Sequence, residues 1–591
     1  MTIHFIPQKT KHQIICLILL VFGLNLNTLW NDYAVDDVIV MTQNKYVEKG
    51  IAGIPDILTN HLFSGYSGSG PALSEKRYRP VAQITYAIEH QFCGNNPLVS
   101  HSFNVLLFVI LIFVLYKLLH ENIFRNQHPD LAFIVCLLFT VHPIHTEVIA
   151  NVKSRDELIC FLMVLLSLFY FAKYENKKTW KTMTIAISAF FVALLSRESA
   201  TTFIIGLPLF IYFFFNKNLK QALWYAIPLI GTFIVYLTIR HFIIQGNQQT
   251  AALDILNSPF MNATASQAFA TKIVILCQYL FMLIFPFQLS SDYGFNQIPY
   301  VQLISANFFV SLLVLVGLIA FAVFQSKRKS LISFSILYFF VSISLASNLV
   351  VDIGTPFSER LLFQASLAFC IVLAYFYLEA RKRMKLAPDL ILLLVLSLFS
   401  FKTFCRNSEW KNNETLYTHD VQTSPNSLRL NLFWVESNLK SAGAESNLEK
   451  RKEDFKKAIE FANHSLELQP KNIDATKYLV NGYCGLLLCY PSVDLFLKDN
   501  QLQHSSTPSN ELIESLSTFF YKQGNGLFEQ NKLEEAVFCY RKSVELSPNN
   551  VESWYSLGGT YLRMKNVSAA KDAWDRVKVL NPNHVLDEDD F

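Results

Sequence analysis

The sequence predicts an all-α, polytopic membrane protein with about eleven transmembrane helices followed by a C-terminal α-solenoid. Three observations predict it. Hydrophobic residues make up 52% of the 591-residue chain and charged residues only 16%, with 51 phenylalanines, a balance typical of lipid-embedded chains. Apolar runs of near-spanning length recur up to residue 404 and then stop. Beyond that point the chain is polar, helix-forming and internally repetitive. A membrane domain over 1–404 and a soluble domain over 405–591 follow from this change.

Lys9 and Lys11 precede IICLILLVFGLNL. No small-x-small cleavage site follows, so this run reads as an uncleaved first helix rather than a signal peptide. Spans are expected at 12–29, 101–119, 131–141, 157–173, 181–195, 201–215, 221–240, 303–323, 331–349, 360–379 and 387–404. Basic clusters set the orientation. Lys9/Lys11, Arg125, Lys173/Lys177/Lys178/Lys181, Lys217/Lys220, Lys327/Arg328/Lys329 and Arg381/Lys382/Arg383 all fall on the cytoplasmic side of this scheme. Residues 30–100, 142–156, 196–200, 241–302 and 350–359, and the C-terminal domain, then lie on the outer face. The run KIVILCQYLFMLIF, 272–285, is about 14 residues long, the length of a buried or re-entrant segment, and is read as non-spanning. The net charge of +4 is too small, and too dispersed between apolar runs, to argue for nucleic acid. Ten cysteines include no CxxC. Cys16, Cys136, Cys160, Cys277 and Cys370 lie in apolar runs and act as small hydrophobes, with no disulfide framework.

Two C-terminal segments align at a period of 34: Ala536, Tyr540, Leu546, Pro548 and Asn549 recur as Ala570, Trp574, Leu580, Pro582 and Asn583. Ala458, Ala462, Leu468 and Pro470 form an earlier unit, and the gap to Pro548 leaves room for a degenerate one. A small residue permits close helix approach and the proline stops the helix. These are the features of tetratricopeptide repeats, which bind partner polypeptides rather than catalyse.

The expected outer face carries the chemistry. Asp36 and Asp37 in NDYAVDDVIV closely follow the first span. One carboxylate suits a general base for an acceptor hydroxyl, with its neighbour tuning it; a solvated helix cap is the plainer alternative. The same loop contains EKRYRP, with Arg77 and Arg79, then VAQITYAIEHQF, a helix suited to lie along the membrane. HPIHTEVIANVKSRDE supplies His142, Glu147, Lys153, Arg155, Asp156 and Glu157. LLSRESATTF adds Arg197 and Glu198, SSDYGF adds Asp292 and Tyr293, and PFSERLLFQ adds Glu359 and Arg360. Ionisable groups this close to a bilayer usually face a protein cavity, although internal ion pairs would place them there too. As a set they point to a lipid-linked phosphate held by arginines. No GxxxxGK[ST] or GxGxxG loop is present, which argues against a nucleotide donor. His142 and His145 lack a third metal ligand at a suitable spacing.

The order VDDVIV, YRPVAQITY, HSFNVLLF, HPIHTEVIANVKSRDEL, LSRESATTF, LSSDYGFNQIPYV, SERLLFQASLAFC and CRNSEWKNNETLY, leading into the repeats, resembles the transmembrane-and-tetratricopeptide-repeat O-mannosyltransferase family across essentially the whole chain. The resemblance implies a GT-C glycosyltransferase that takes a sugar, usually mannose, from a polyprenyl- or dolichyl-phosphate carrier. Transfer would occur on the exoplasmic side with inversion. It assigns the base to Asp36, with Asp37 second. Arg79, His142, Glu147, Arg155, Arg197, Glu198, Asp292, Tyr293, Glu359 and Arg360 are expected around the donor phosphate. No metal or other cofactor is expected. The expected partners are the lipid-phosphate sugar, the membrane and an acceptor polypeptide held through the repeats. The chain departs from the animal members in carrying Arg197 where they usually show Lys, and in its short array of repeats. That shortness favours a bacterial-type protein of the inner membrane over one of the endoplasmic reticulum. A lipid or surface-glycan acceptor is the alternative within this class. A non-catalytic tetratricopeptide scaffold and a transporter are the alternatives outside it, but a transporter would call for midplane charges and repeated halves.

Overall fold

The computed structural model describes residues 7–66, 77–124, 130–245, 255–384, 386–500 and 507–584; Arg125 of the expected cytoplasmic set lies outside them. Among the described residues all named elements are helices, and the one extended pairing is the antiparallel bridge between Asn44 and Tyr66.

The chain forms two compact units, Met1–Leu430 and Asn431–Phe591. The expected boundary at 404 instead falls inside the helix Ala387–Glu409. Residues 405–430 stay with the first unit because polar contacts hold them there. Asn407 Nδ2 donates to Leu24 O at 2.9 Å, and Asn31 Nδ2 donates to Asn407 O at 3.1 Å. The Arg406 guanidinium grips both oxygens of Asp420 at 2.6 and 3.0 Å. The compositional change at 404 thus marks the end of the apolar runs rather than the end of packing.

Among the described residues of the first unit seven helices are long and apolar enough to cross a membrane, or eight if a bent pair counts as one span. The expected count of eleven is not reached, for reasons local to each segment. Span 131–141 is the first half of that pair: Leu131–Val141 turns by 58° into Pro143–Ala150, at a proline that cannot donate to the preceding turn. Segments 181–195, 201–215 and 331–349 fall in the shorter apolar helices Trp180–Ser196, Glu198–Phe214 and Leu331–Ile343. Span 360–379 starts late: Glu359–Leu362 is a 3-10 turn, and the helix proper runs Ser366–Arg383. The run 272–285 belongs to the longer, 20-residue helix Ala265–Ile284, whose length and apolar composition would be enough for a span.

In the second unit the helices pair Leu448–Leu468 with Ile473–Leu487, Thr507–Glu529 with Leu533–Leu546, and Val551–Arg563 with Val567–Leu580. A short helix, Val493–Asp499, occupies part of the gap where a degenerate repeat was expected. Ala536 and Ala570 are buried, as close helix approach requires. The first helix of each later pair adds a glycine facing the aromatic of the second. A Cβ at Gly524 or Gly558 would overlap Tyr540 or Trp574 respectively, so these aromatics lie directly against bare backbone.

Candidate active site around Asp36

The acidic loop is shaped by residues distant in sequence. Val35 has φ 53°, a left-handed conformation costly for a β-branched residue. Its N–H donates to Asn413 Oδ1 at 2.7 Å, and Asp32 N–H donates to Lys411 O at 2.8 Å. Asn413 was not singled out from the sequence. The one signal for it was its place inside CRNSEWKNNETLY. Replacing Asn413 by Ala removes the acceptor that restrains Val35. Melting of the purified protein should show a loss of about 0.5–1.5 kcal/mol, and Asn413→Asp, which keeps an acceptor, should lose less.

The two aspartates face different surroundings. Asp37 is fully buried. Its Oδ1 accepts the Lys153 N–H at 2.7 Å and its Oδ2 accepts the Ala34 N–H at 3.1 Å, so it bridges two backbone segments. Asp36 forms an ion pair with the Lys153 ammonium, and its side chain is 30% exposed. Burial pushes both carboxyls up. For Asp36 burial is the largest single influence, but the Lys153 charge and hydrogen bond, with the charges of Arg360 and Arg429, together overcome it and hold it at about 2. For Asp37 burial, with the neighbouring Asp36 charge adding to it, prevails over its backbone donors and raises it to about 7.

A chain of ion pairs adjoins this loop. Arg79 binds Asp156 at 2.7 Å and Glu198 at 2.7 Å. Arg197 binds the other oxygen of Asp156 at 2.9 Å and Glu157 at 2.6 Å. Arg360 holds Glu147 twice, through its guanidinium at 2.9 Å and its backbone N–H at 3.1 Å. Its side chain is 20% exposed, and the charges of Asp36 and Asp156 both act on it. The structure therefore gathers Asp36, Arg79, Glu147, Arg197, Glu198 and Arg360 of the expected set, and adds Lys153, Asp156 and Glu157. These residues come from five separate stretches of sequence.

Five expected donor contacts are placed elsewhere. Arg155 is fully buried and bonded to Glu89 at 2.8 Å, Asn104 at 2.8 Å and Ser100 O at 3.1 Å, so it has no open face for a phosphate. His142 is buried with Nε2 3.1 Å from Leu283 O, among the rings of Phe369 and Phe399; it fastens a helix. Asp292 accepts from Gly294 N–H and Ser427 Oγ, both at 2.6 Å, and ties two loops together. Tyr293 hydroxyl lies 2.8 Å from Glu359 Oε1. Glu359 is itself fully buried, and its contacts are with the loop of Ser290 and Tyr293.

The buried site of Glu359 favours its neutral acid form. Its Oε1 also accepts the Ser290 N–H at 2.6 Å, and its Oε2 has no hydrogen-bond partner among the described residues. Burial raises its carboxyl to about 8, with Glu147 and Asp420 adding to the rise and Arg406 opposing it. The folded state thus holds this proton where the unfolded chain, titrating near the ordinary value of about 4.3, releases it. The associated stability is complete below the unfolded value and is lost as pH rises through about 8. Melting curves between acidic and alkaline pH should therefore fall more steeply for wild type than for Glu359→Gln, which copies the neutral acid.

Glu409, His419 and Asp420 bring possible ligand atoms within 4.8 Å of one another. Arg406 already supplies the cation there, 2.7 Å from Glu409 and 2.6 Å from Asp420.

Comparison with known proteins gives the chain relatives. A TPR repeat profile matches residues 524–565. The chain is 24% identical to human Protein O-mannosyl-transferase TMTC3, over 95% of the chain and 67% of that protein. It is 26% identical to human Protein O-mannosyl-transferase TMTC1, over 76% and 54% respectively. It is 25% identical to Caenorhabditis elegans Protein O-mannosyl-transferase F38B6.6, over 72% and 60%. The chain spans between about half and two thirds of the length of these relatives. With similarity over almost all of its length, apolar helices in series and a tetratricopeptide match near its end, the chain is a multi-pass membrane homologue of the TMTC proteins.

Proposed function

We propose that the chain is an integral membrane glycosyltransferase that moves mannose from a polyprenyl-phosphate carrier to Ser or Thr hydroxyls of a polypeptide on the exoplasmic side. The relatives are named protein O-mannosyl-transferases, and the observation carrying the reading here is Asp36. Asp36 and Glu198 are the two partly exposed carboxylates of the cluster, at 30% and 31%, and Asp36 is held by one ammonium whereas Glu198 is gripped by both Nε and a terminal nitrogen of Arg79. In a single displacement the acceptor hydroxyl oxygen attacks the sugar C1, its proton passes to Asp36, and the bond from C1 to the phosphate oxygen breaks. The configuration at C1 inverts. The released phosphate monoester is neutralised by Arg360 and Lys153, donors suited to phosphate oxygens. The chain's own cations supply that charge, so no metal or other cofactor is assigned a role. The helix-pair unit is assigned to polypeptide binding.

An outer-face position for the site fits the basic clusters on the opposite loops. It also fits the contacts of the helix Ala265–Ile284. Lys272 pairs with Asp352 at 2.7 Å, and Leu283 O meets His142; both partners belong to loops assigned outward. The inner membrane of a bacterial cell, with the repeats on the periplasmic side, is the proposed location.

The test is transfer by the purified chain in nanodiscs, supplied with polyprenyl-phosphate-[3H]mannose and Ser/Thr peptides. Label recovered on peptide and released by β-elimination is expected. A folded protein that hydrolyses or transfers nothing from any lipid-phosphate sugar would overturn the reading.

A further inference from the structure

We propose that Lys153 is shared between two anions in sequence: its ammonium holds Asp36 in the resting protein, then passes to the lipid phosphate as the donor enters and frees Asp36. This deepens the reading above and rests on it.

The neighbouring cations differ in how firmly they are committed. Arg79 and Arg197 are each held by two carboxylates, and Arg360 grips Glu147 through both side chain and backbone. Lys153 has one carboxylate partner among the described residues, Asp36, and an ammonium has three donors. Its backbone is pinned, because its N–H is held by Asp37 at 2.7 Å. The flexible side chain is thus the mobile part, and its charge is a compact one that can change partners. The pair is open on one side only: Lys153 is 7% exposed and Asp36 30%. A phosphate approaching Asp36 therefore meets the same ammonium. Arg77 and Arg360 lie close enough for their charges to act on Lys153, and they favour an anion entering beside it.

The consequence is chemical. While paired, Asp36 is held at about 2 and is a poor proton acceptor. Transfer of Lys153 to the phosphate removes the hydrogen bond and the largest of the charges that depress it. Base strength then arises only with the donor in place, which couples activation to donor binding.

The test is binding of polyprenyl phosphate, without sugar, to the full chain in phosphatidylcholine nanodiscs, where it is the one anionic lipid. Asp36→Asn removes the competing anion, so binding should tighten roughly three- to tenfold, the scale of one charge-assisted hydrogen bond released. In a Lys153→Gln background the same change should leave affinity unaltered. Should Lys153→Gln not fold, the isosteric Asp36→Asn carries the test alone, with Lys153→Arg as a background that keeps the tightening. Affinity unchanged or weakened by Asp36→Asn, in a wild type that binds the lipid and transfers mannose, overturns the sharing alone. A wild type that binds no polyprenyl phosphate overturns the carrier reading and this inference together.

Discussion

Asp36→Asn should lower mannosyl transfer by about 10²–10⁴-fold, the range for removing a general base, while leaving the melting temperature of the purified chain near that of wild type. The amide keeps the shape of the carboxylate, and its oxygen still accepts from Lys153, so little of the loop's packing is disturbed. What it loses is the capacity to take a proton. Asp37→Asn should behave in the opposite order. Both Asp37 oxygens accept backbone N–H groups, from Lys153 and Ala34. An amide accepts through one atom and presents N–H groups to the other donor. One buried backbone donor is then unsatisfied, at a cost of about 1–3 kcal/mol. The same variant pair, followed by transfer and by melting, separates the two carboxylates. A stable Asp37→Asn protein without transfer, beside an active Asp36→Asn protein, would exchange their roles. The titration states point to Asp37, near 7, as the better matched base, but geometry points to Asp36, since Asp37 has no exposed surface. A proton acceptor must reach the hydroxyl before its basicity matters, and the entry of a phosphate beside Lys153 alters Asp36 and not the burial of Asp37.

Much of the architecture was readable before any coordinates. Hydropathy located the helices that meet lipid, and the 34-residue period located the helix pairs, because both features repeat along the chain. The compact units divide later than the compositional change because composition registers apolar runs, whereas Asn407 and Arg406 continue the first unit through polar bonds to Leu24 and Asp420. The site was legible as a set of charges, but not as a set of roles. Asp156 and Arg155 are adjacent in sequence at the start of the helix Arg155–Lys177. Successive residues on a helix point about 100° apart, which sends Asp156 to Arg79 and Arg197 while Arg155 turns to Glu89. Whether an arginine faces a cavity or an acid is decided by residues tens of positions away. The same is true of Val35, whose left-handed backbone no valine advertises and which Asn413 restrains from far along the chain.

Arg155 gives this distinction its largest expected effect on stability. Arg155→Met should destabilise the first unit by about 3–5 kcal/mol, the cost of leaving a buried partner charge uncompensated. The guanidinium is fully buried, stacks on the rings of Tyr86 and Phe103 at 4.6 and 4.8 Å, and pairs with Glu89 at 2.8 Å. Methionine fills part of the space but leaves Glu89 with only the Ser100 hydroxyl. Arg155→Lys should rescue little, because an ammonium cannot reproduce the planar donor fork that meets Glu89, Asn104 and Ser100 together. Arg155→Met combined with Glu89→Gln should recover much of the loss, since it removes the stranded charge as well. A phosphate contact makes the contrary forecast: Arg155→Met would retain its melting temperature and lose polyprenyl-phosphate affinity, and Glu89→Gln would not help. Measuring melting and lipid affinity on the three variants decides between them. Stability lost with affinity retained in the folded fraction is the outcome the buried pair requires, because Arg155 holds the helix from which Asp156 and Glu157 reach the site.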